Sequence, residues 1–146
     1  MRNTRPILLV EDDSVDAMTV KRSLHDLGAK TMLVRSTNGE EALEYLRDPA
    51  NEMPCIILLD LNMPKMNGIE FLKVIKADDV LKKIPVVVLT TSKEDCDVVD
   101  SFELSVAGYM IKPVDYKQFL ESMKTLHSYW SLSRLPENVQ SVKVQL

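Results

Sequence analysis

Five short apolar runs, spaced by segments of helix length, constrain this chain more than any other feature. They are residues 6–10 (PILLV), 31–35 (TMLVR), 55–59 (CIILL), 85–89 (PVVVL) and, more weakly, 107–111 (AGYMI). Consecutive Val, Ile and Leu without polar alternation describe strands buried on both faces, as in a parallel sheet covered by helices on each side. The segments between them carry helical spacing. Val20, Leu24 and Leu27 recur on one face, with Gly28 following as a C-cap. Asn38 is placed to cap a second helix that stops before Pro49, and Ile69, Leu72 and Ile75 share a face of a third. Val98, Val99 and Phe102 mark a fourth helix, and Phe119, Leu120, Met123, Leu126 and Trp130 a fifth. Five βα units joined by right-handed crossovers predict an α/β fold with a doubly wound, five-stranded parallel sheet.

Length and composition narrow the class. A chain of 146 residues suits one domain and buries about two-thirds of its unfolded surface. We expect that domain over residues 1–130, with residues 131–146 (SLSRLPENVQSVKVQL) as a C-terminal extension. A formal charge of −4 and the absence of a basic stripe argue against a DNA partner, because phosphate backbones call for clustered Lys and Arg. No run is long enough to span a membrane, and the N-terminal apolar run is too short for a signal peptide, so a cytoplasmic protein is expected. Cys55 and Cys96 form neither a disulfide framework nor a metal-binding spacing.

In a parallel sheet the strands end at one edge, and ligands bind in the crevice where the strand order reverses. The residues at the strand tips are therefore read as a set. The first strand runs into Glu11, Asp12 and Asp13, the third into Asp60, the fourth into Thr90 and Thr91, and the fifth into Lys112–Pro113. An acid after a strand is ordinarily a cap or a solvated loop residue; a crowd of carboxylates with a hydroxyl and an ammonium at one edge is not. Carboxylates close together repel until a proton or a cation relieves them. A hard divalent cation such as Mg²⁺ suits carboxylates, water and a phosphoryl oxygen. A carboxylate is also a competent nucleophile that forms an acyl phosphate, with the cation and the Lys ammonium offsetting the charge that develops on the transferred group.

The motifs LLVEDD, LLDLNMPKMNG, VVVLTTS and GYMIKPVD, in that order and spacing, resemble the receiver domains of two-component response regulators, the CheY-like family, over about residues 6–126. The resemblance implies a flavodoxin-like (βα)5 fold with strand order 2-1-3-4-5. It implies Asp60 as the phosphoacceptor and a Mg²⁺ (or Mn²⁺) cofactor. Asp12 and Asp60 would ligate the cation directly, Glu11 through water, and Asn62 through its backbone carbonyl. It further implies Lys112 as the phosphoryl-contacting lysine, Thr90 and Tyr109 as the switch pair, and a cis peptide between Lys112 and Pro113. Asn62 and Ser92 stand where receivers tune phosphoryl lifetime. The implied partner is a sensor histidine kinase, docking near Val15, Ala17 and Met18 at the start of the first helix.

No DNA-binding unit fits in residues 131–146, so a stand-alone regulator that signals through a changed protein-binding face is expected. It would be no enzyme beyond its own phosphorylation and dephosphorylation. The stretch LHSYWSLSRLPENV resembles the extension of single-domain receivers associated with phytochrome-like sensor kinases. Its apolar residues either seal the domain or form a homodimer seam with helix four, strand five and helix five. Two rivals come from other classes: a phosphorylation-independent binding module on the same fold, and an Asp-nucleophile phosphatase. The second is disfavoured because Asn62 stands where haloacid-dehalogenase-like phosphatases place a second acid. A flavin or nucleotide site is disfavoured by the acidic loop EDDSVD, where a phosphate-binding loop would be rich in Gly, Ser or Thr. His25 and His127 are expected at the surface or the edge of the core, and the scattered methionines as gap fillers.

Overall fold

A computed structural model describes residues 5–61, 63, 65–90, 93–101, 103–112 and 115–132. The order of elements is β1 (Ile7–Val10), α1 (Ser14–Asp26), β2 (Leu33–Ser36), α2 (Gly39–Arg47), β3 (Ile56–Asp60), α3 (Gly68–Lys76), a 3-10 turn (Leu81–Lys83), β4 (Val86–Thr90), α4 (Lys93–Ser101), β5 (Gly108–Ile111) and α5 (Tyr116–Leu132). All strand pairs are parallel, in the order β2-β1-β3-β4-β5. The order reverses between β1 and β3, so the crevice at their C-terminal ends is where a site is expected.

Side chains alternate across the sheet with period two and feed two cores. Leu8, Val10, Ile57, Leu59, Val86 and Val88 pack with Leu43, Phe71, Leu72, Ile75 and Val99 on one side. Ile7, Leu9, Ile56, Leu58, Val87 and Leu89 pack with Val20, Leu24, Phe119 and Met123 on the other. This is why β3 has no polar residue before its last position: each of its side chains enters one core or the other.

The helix starts are set by the residues before them. Asp13 accepts from the N–H groups of Val15 and Asp16 at 2.8 and 3.0 Å and opens α1. Asn38 accepts from Glu41 N–H at 2.9 Å and caps α2. Asn67 and Glu70 form a reciprocal capping box at α3. Gly28 lies at φ +69° just beyond α1, a left-handed position that costs a glycine little.

The structure corrects details of the helical faces. Phe71, with Leu72 and Ile75, fills the buried face of α3, and Ile69 is only partly buried. Counting back from Ile75 by three and four residues reaches Leu72 and Phe71, and then Ile69 and Gly68, so Ile69 stands at the edge of the same face and packs partly on that core. On α4 Val99 is fully buried and Val98 is exposed, while Phe102 lies outside the described residues. On α5 Phe119 and Met123 are buried, Leu126 packs partly, and Leu120 belongs to neither core. The 3-10 turn, which buries Leu81, was not anticipated.

Candidate phosphoryl and metal site

Strand ends bring the acidic residues together. β1 stops at Val10, and Glu11 N–H continues the sheet by donating to Ser36 O at 2.9 Å. Register pairs Val10 with Leu59, so Glu11 and Asp60 leave adjacent strands at the same level. One carboxylate oxygen from each of Glu11, Asp12 and Asp60 lies within 4.8 Å of the others. Glu11 and Asp60 are buried and Asp12 is exposed. Lys112 completes the crevice from the end of β5. Its Nζ is 2.7 Å from Glu11 Oε1, 2.9 Å from Asp16 Oδ2 and 3.7 Å from Asp60 Oδ1.

Burial, then the hydrogen bond and charge of Asp60, push the Glu11 carboxyl up to about 8, against the opposing pull of Lys112. Burial alone would lower Lys112, but its hydrogen bonds to Glu11 and Asp16 and the charges of Asp60 and Glu11 outweigh that and hold it above the usual ammonium range. The cluster therefore has more negative groups than one ammonium can balance, an imbalance that a divalent cation would relieve. An all-oxygen donor set of this kind fits Mg²⁺ or Mn²⁺.

Two features support the crevice from behind. Arg35, on β2, donates from Nε to Glu11 O and from Nη2 to Asp12 O, both at 3.0 Å, and so holds the acidic loop by its backbone. After β3 the chain folds back so tightly that Gly68 N–H donates to Leu61 O at 3.0 Å. A Cβ at Gly68 would meet Leu61 Cα at 2.6 Å and Asp60 O at 2.8 Å. Neither role is visible in the sequence, because each depends on a neighbour that only the fold brings close. Asp16 was also missed as a partner of Lys112, although it closes the acidic stretch EDDSVD.

Thr90 is the buried last residue of β4, and its carbonyl accepts Lys112 N–H at 2.7 Å. Leu89, just before it, pairs with Asp60, which puts Thr90 at the crevice edge of the neighbouring strand. Tyr109, half-buried on β5, stands further back; its hydroxyl donates to Asp100 Oδ1 of α4 at 2.7 Å. Asn62, Ser92 and Pro113, and with Pro113 the expected cis peptide, lie outside the described residues. Val15 and Met18 are both more than two-thirds exposed while Ala17 is buried. His25 is at the surface. Tyr129 is exposed, and the side chains of the expected seam beyond it are outside the described set.

The sequence matches the family profile of the response regulator receiver domain over residues 7–124. The chain belongs to that family. A probable methanogenesis regulatory protein, FilR2, of Methanothrix harundinacea is 38% identical over 127 residues, covering 85% of this chain and 82% of that protein. Response regulator Rcp1 of Synechocystis sp. is 38% identical over 128 residues, covering 85% and 87%. The Mn²⁺-bound form of Rcp1 superposes with a TM-score of 0.80 at 37% identity, over 90% of this chain and 99% of that one. The phosphorylated cyanobacterial phytochrome response regulator RcpA superposes with a TM-score of 0.81 at 38% identity, over 92% and 99%. The receiver fold and strand order agree with the expectation from the motifs. Among the described residues, no helix is long and apolar enough to cross a membrane.

Proposed function

We propose that this receiver accepts a phosphoryl group on Asp60 from the phosphohistidine of a sensor kinase and signals through a changed protein-binding face. One observation carries the reading. The buried Asp60 carboxylate sits at the crevice with two further carboxylates within 4.8 Å and an ammonium 3.7 Å away. In the transfer, an Asp60 oxygen bonds to phosphorus as the phosphorus–nitrogen bond of the donor breaks. The departing imidazole keeps that electron pair and takes up a proton. Lys112 holds positive charge beside the transferring oxygens throughout.

Glu11, Asp12 and Asp60, with the backbone carbonyl of Asn62, are the residues we assign to a Mg²⁺ or Mn²⁺ ion. Bound there, the ion would supply positive charge against the phosphoryl oxygens. That Rcp1 has a Mn²⁺-bound form supports this assignment. On the output side, Thr90 would donate its hydroxyl to the new phosphoryl group. Tyr109 would then leave Asp100 for the space beside β4, reshaping the α4–β5–α5 face. The similarity to Rcp1 and RcpA supports a kinase of phytochrome type as the donor.

The test is Asp60→Asn, incubated with acetyl phosphate and Mg²⁺ and read by intact mass. The wild type is expected to gain one phosphoryl group and the variant none. Uptake by Asp60→Asn at the wild-type rate would mean that Asp60 is not the acceptor, and no uptake by the wild type would return the chain to the class of phosphorylation-independent binding modules.

A further inference from the structure

Lys112 divides its hydrogen bonds between a metal-site carboxylate and one outside that set. Of its three donors, one meets Glu11 and one meets Asp16 in the first turn of α1, at 2.7 and 2.9 Å. Asp60, at 3.7 Å, lies beyond a short hydrogen bond. Among the described residues the group of metal-compatible carboxylates is Glu11, Asp12 and Asp60; Asp16 is outside it. A cavity of about 240 Å³ between α1 and α5 flanks Lys112 on the side of Thr19, Arg22, Tyr116 and Phe119. With open space there, packing does not fix the end of the lysine side chain; its acceptors do.

Asp16 is well placed to be that fixed acceptor. Its backbone N–H donates to the Asp13 cap, which anchors the turn that carries it. Glu11 and Asp60 are the groups whose charge is redistributed when a cation or phosphoryl group arrives, whereas Asp16 keeps its place on α1. We propose that Asp16 is a positioning residue for phosphoryl transfer, holding the Lys112 ammonium beside Asp60 at a distance that a phosphoryl oxygen on Asp60 would bridge. The inference rests on the assignment of Lys112 as the phosphoryl-contacting lysine. A different role is open to any acid in a first helical turn, namely stabilising the helix through its dipole. That role does not depend on Lys112, and the two are separable.

The experiment is a double-mutant cycle on the initial rate of phosphorylation by acetyl phosphate in Mg²⁺. A small donor needs no docking on α1, so the readout excludes kinase contacts. Asp16→Asn is expected to slow phosphorylation roughly fivefold, the scale of a half-exposed ion pair. Asp16→Glu, which keeps an acceptor, is expected to recover most of that loss. In a Lys112→Ala background Asp16→Asn is expected to change nothing further. The proposal is overturned if Asp16→Asn is as fast as the wild type, or slows the Lys112→Ala protein by the same factor. If Lys112→Ala alone phosphorylates at the wild-type rate, the assignment of Lys112 fails and the role of Asp16 with it.

Discussion

The two halves of the crevice edge are built differently. On the β1–β3 side, Glu11, Asp12 and Asp60 cluster where the Lys112 ammonium reaches over from the end of β5 to 2.7 Å from Glu11 and 3.7 Å from Asp60, backed by Arg35 and by the tight return of the chain at Gly68. On the β4–β5 side, Tyr109 reaches across to α4 through its hydrogen bond to Asp100, beside an open groove lined by Glu103, Leu104, Ser105 and Val106. The glycines repeat the contrast. A Cβ at Gly68 would strike the backbone, whereas a Cβ at Gly108, at the start of β5, would meet nothing within 4 Å. On the proposed function, the difference separates chemistry from readout. Phosphoryl transfer needs groups already in place before the donor arrives. A switch needs an element whose two positions differ by little, which a few hydrogen bonds to one helix provide and a network of buried charges does not.

The largest expected effect tests that division directly. Lys112→Ala should slow phosphorylation by acetyl phosphate about a hundredfold, as for loss of one donor to a developing charge. Asp100→Asn should leave the rate within about twofold, since an exposed hydrogen bond is worth little and lies off the reaction path. Equal loss in both variants would break the separation of the two sides. Next in size is stability. Gly68→Ala is expected to cost about 1–3 kcal/mol in urea denaturation, because the new methyl group meets backbone that has no room to yield. Gly108→Ala is expected to stay within about 0.5 kcal/mol. If both substitutions are tolerated equally, the β3–α3 return is looser than its geometry implies.

How much of this was legible beforehand depends on what each residue's role rests on. The sheet was readable because strands buried on both faces admit almost no polar residues, so IILL and VVVL announce themselves. The acids at Glu11, Asp12 and Asp60 were readable because they interrupt those runs at one edge of a parallel sheet. The strand order came from the family resemblance; hydrophobic runs do not encode which strands are neighbours. Arg35 and Asp16 were missed because their roles depend on partners 24 and 96 residues away, and no periodicity reports such distances. Phe71 was left out because Ile69, Leu72 and Ile75 already traced the face at three-residue spacing, and a face about 100° wide also takes in the neighbour four residues before Ile75. At Gly68 the constraint is the closeness of Leu61, which belongs to the folded chain only.

The acidic side should also respond to pH. The Glu11 carboxyl rises from its ordinary value of 4.5 to about 8 in the folded chain. Between those values the folded protein holds a proton that the unfolded chain has released, so metal-free stability should fall as pH rises through that window. A divalent cation must displace the proton. Mg²⁺ affinity, measured by calorimetry, is therefore expected to rise about tenfold from pH 6 to pH 7 and to level off above pH 8. Affinity that is flat across this range would mean that Glu11 is not among the groups the ion engages. The same titration in Asp100→Asn should overlay the wild type, because Asp100 belongs to the other side of the crevice.

The smallest expected effect lies at Tyr109, the residue proposed as the switch. Burial first, then the hydrogen bond to Asp100, raises the Tyr109 phenol above its ordinary range. In Asp100→Asn the phenol should ionise at lower pH than in the wild type, seen as a difference in ultraviolet titration against Tyr109→Phe. Loss of the bond should cost no more than about 1 kcal/mol of stability. That small figure carries a consequence. If the Asp100 bond, the shorter of two from the Tyr109 hydroxyl to α4 (Cys96 O is at 3.5 Å), holds the ring there, removing it should raise the population of the inward ring without any phosphoryl group. Nuclear magnetic resonance of the ring would show Asp100→Asn partway between the unmodified and phosphorylated positions. A ring that stays at the unmodified position would mean that packing against Leu104 and Val106, and not the Asp100 bond, sets the threshold of the switch.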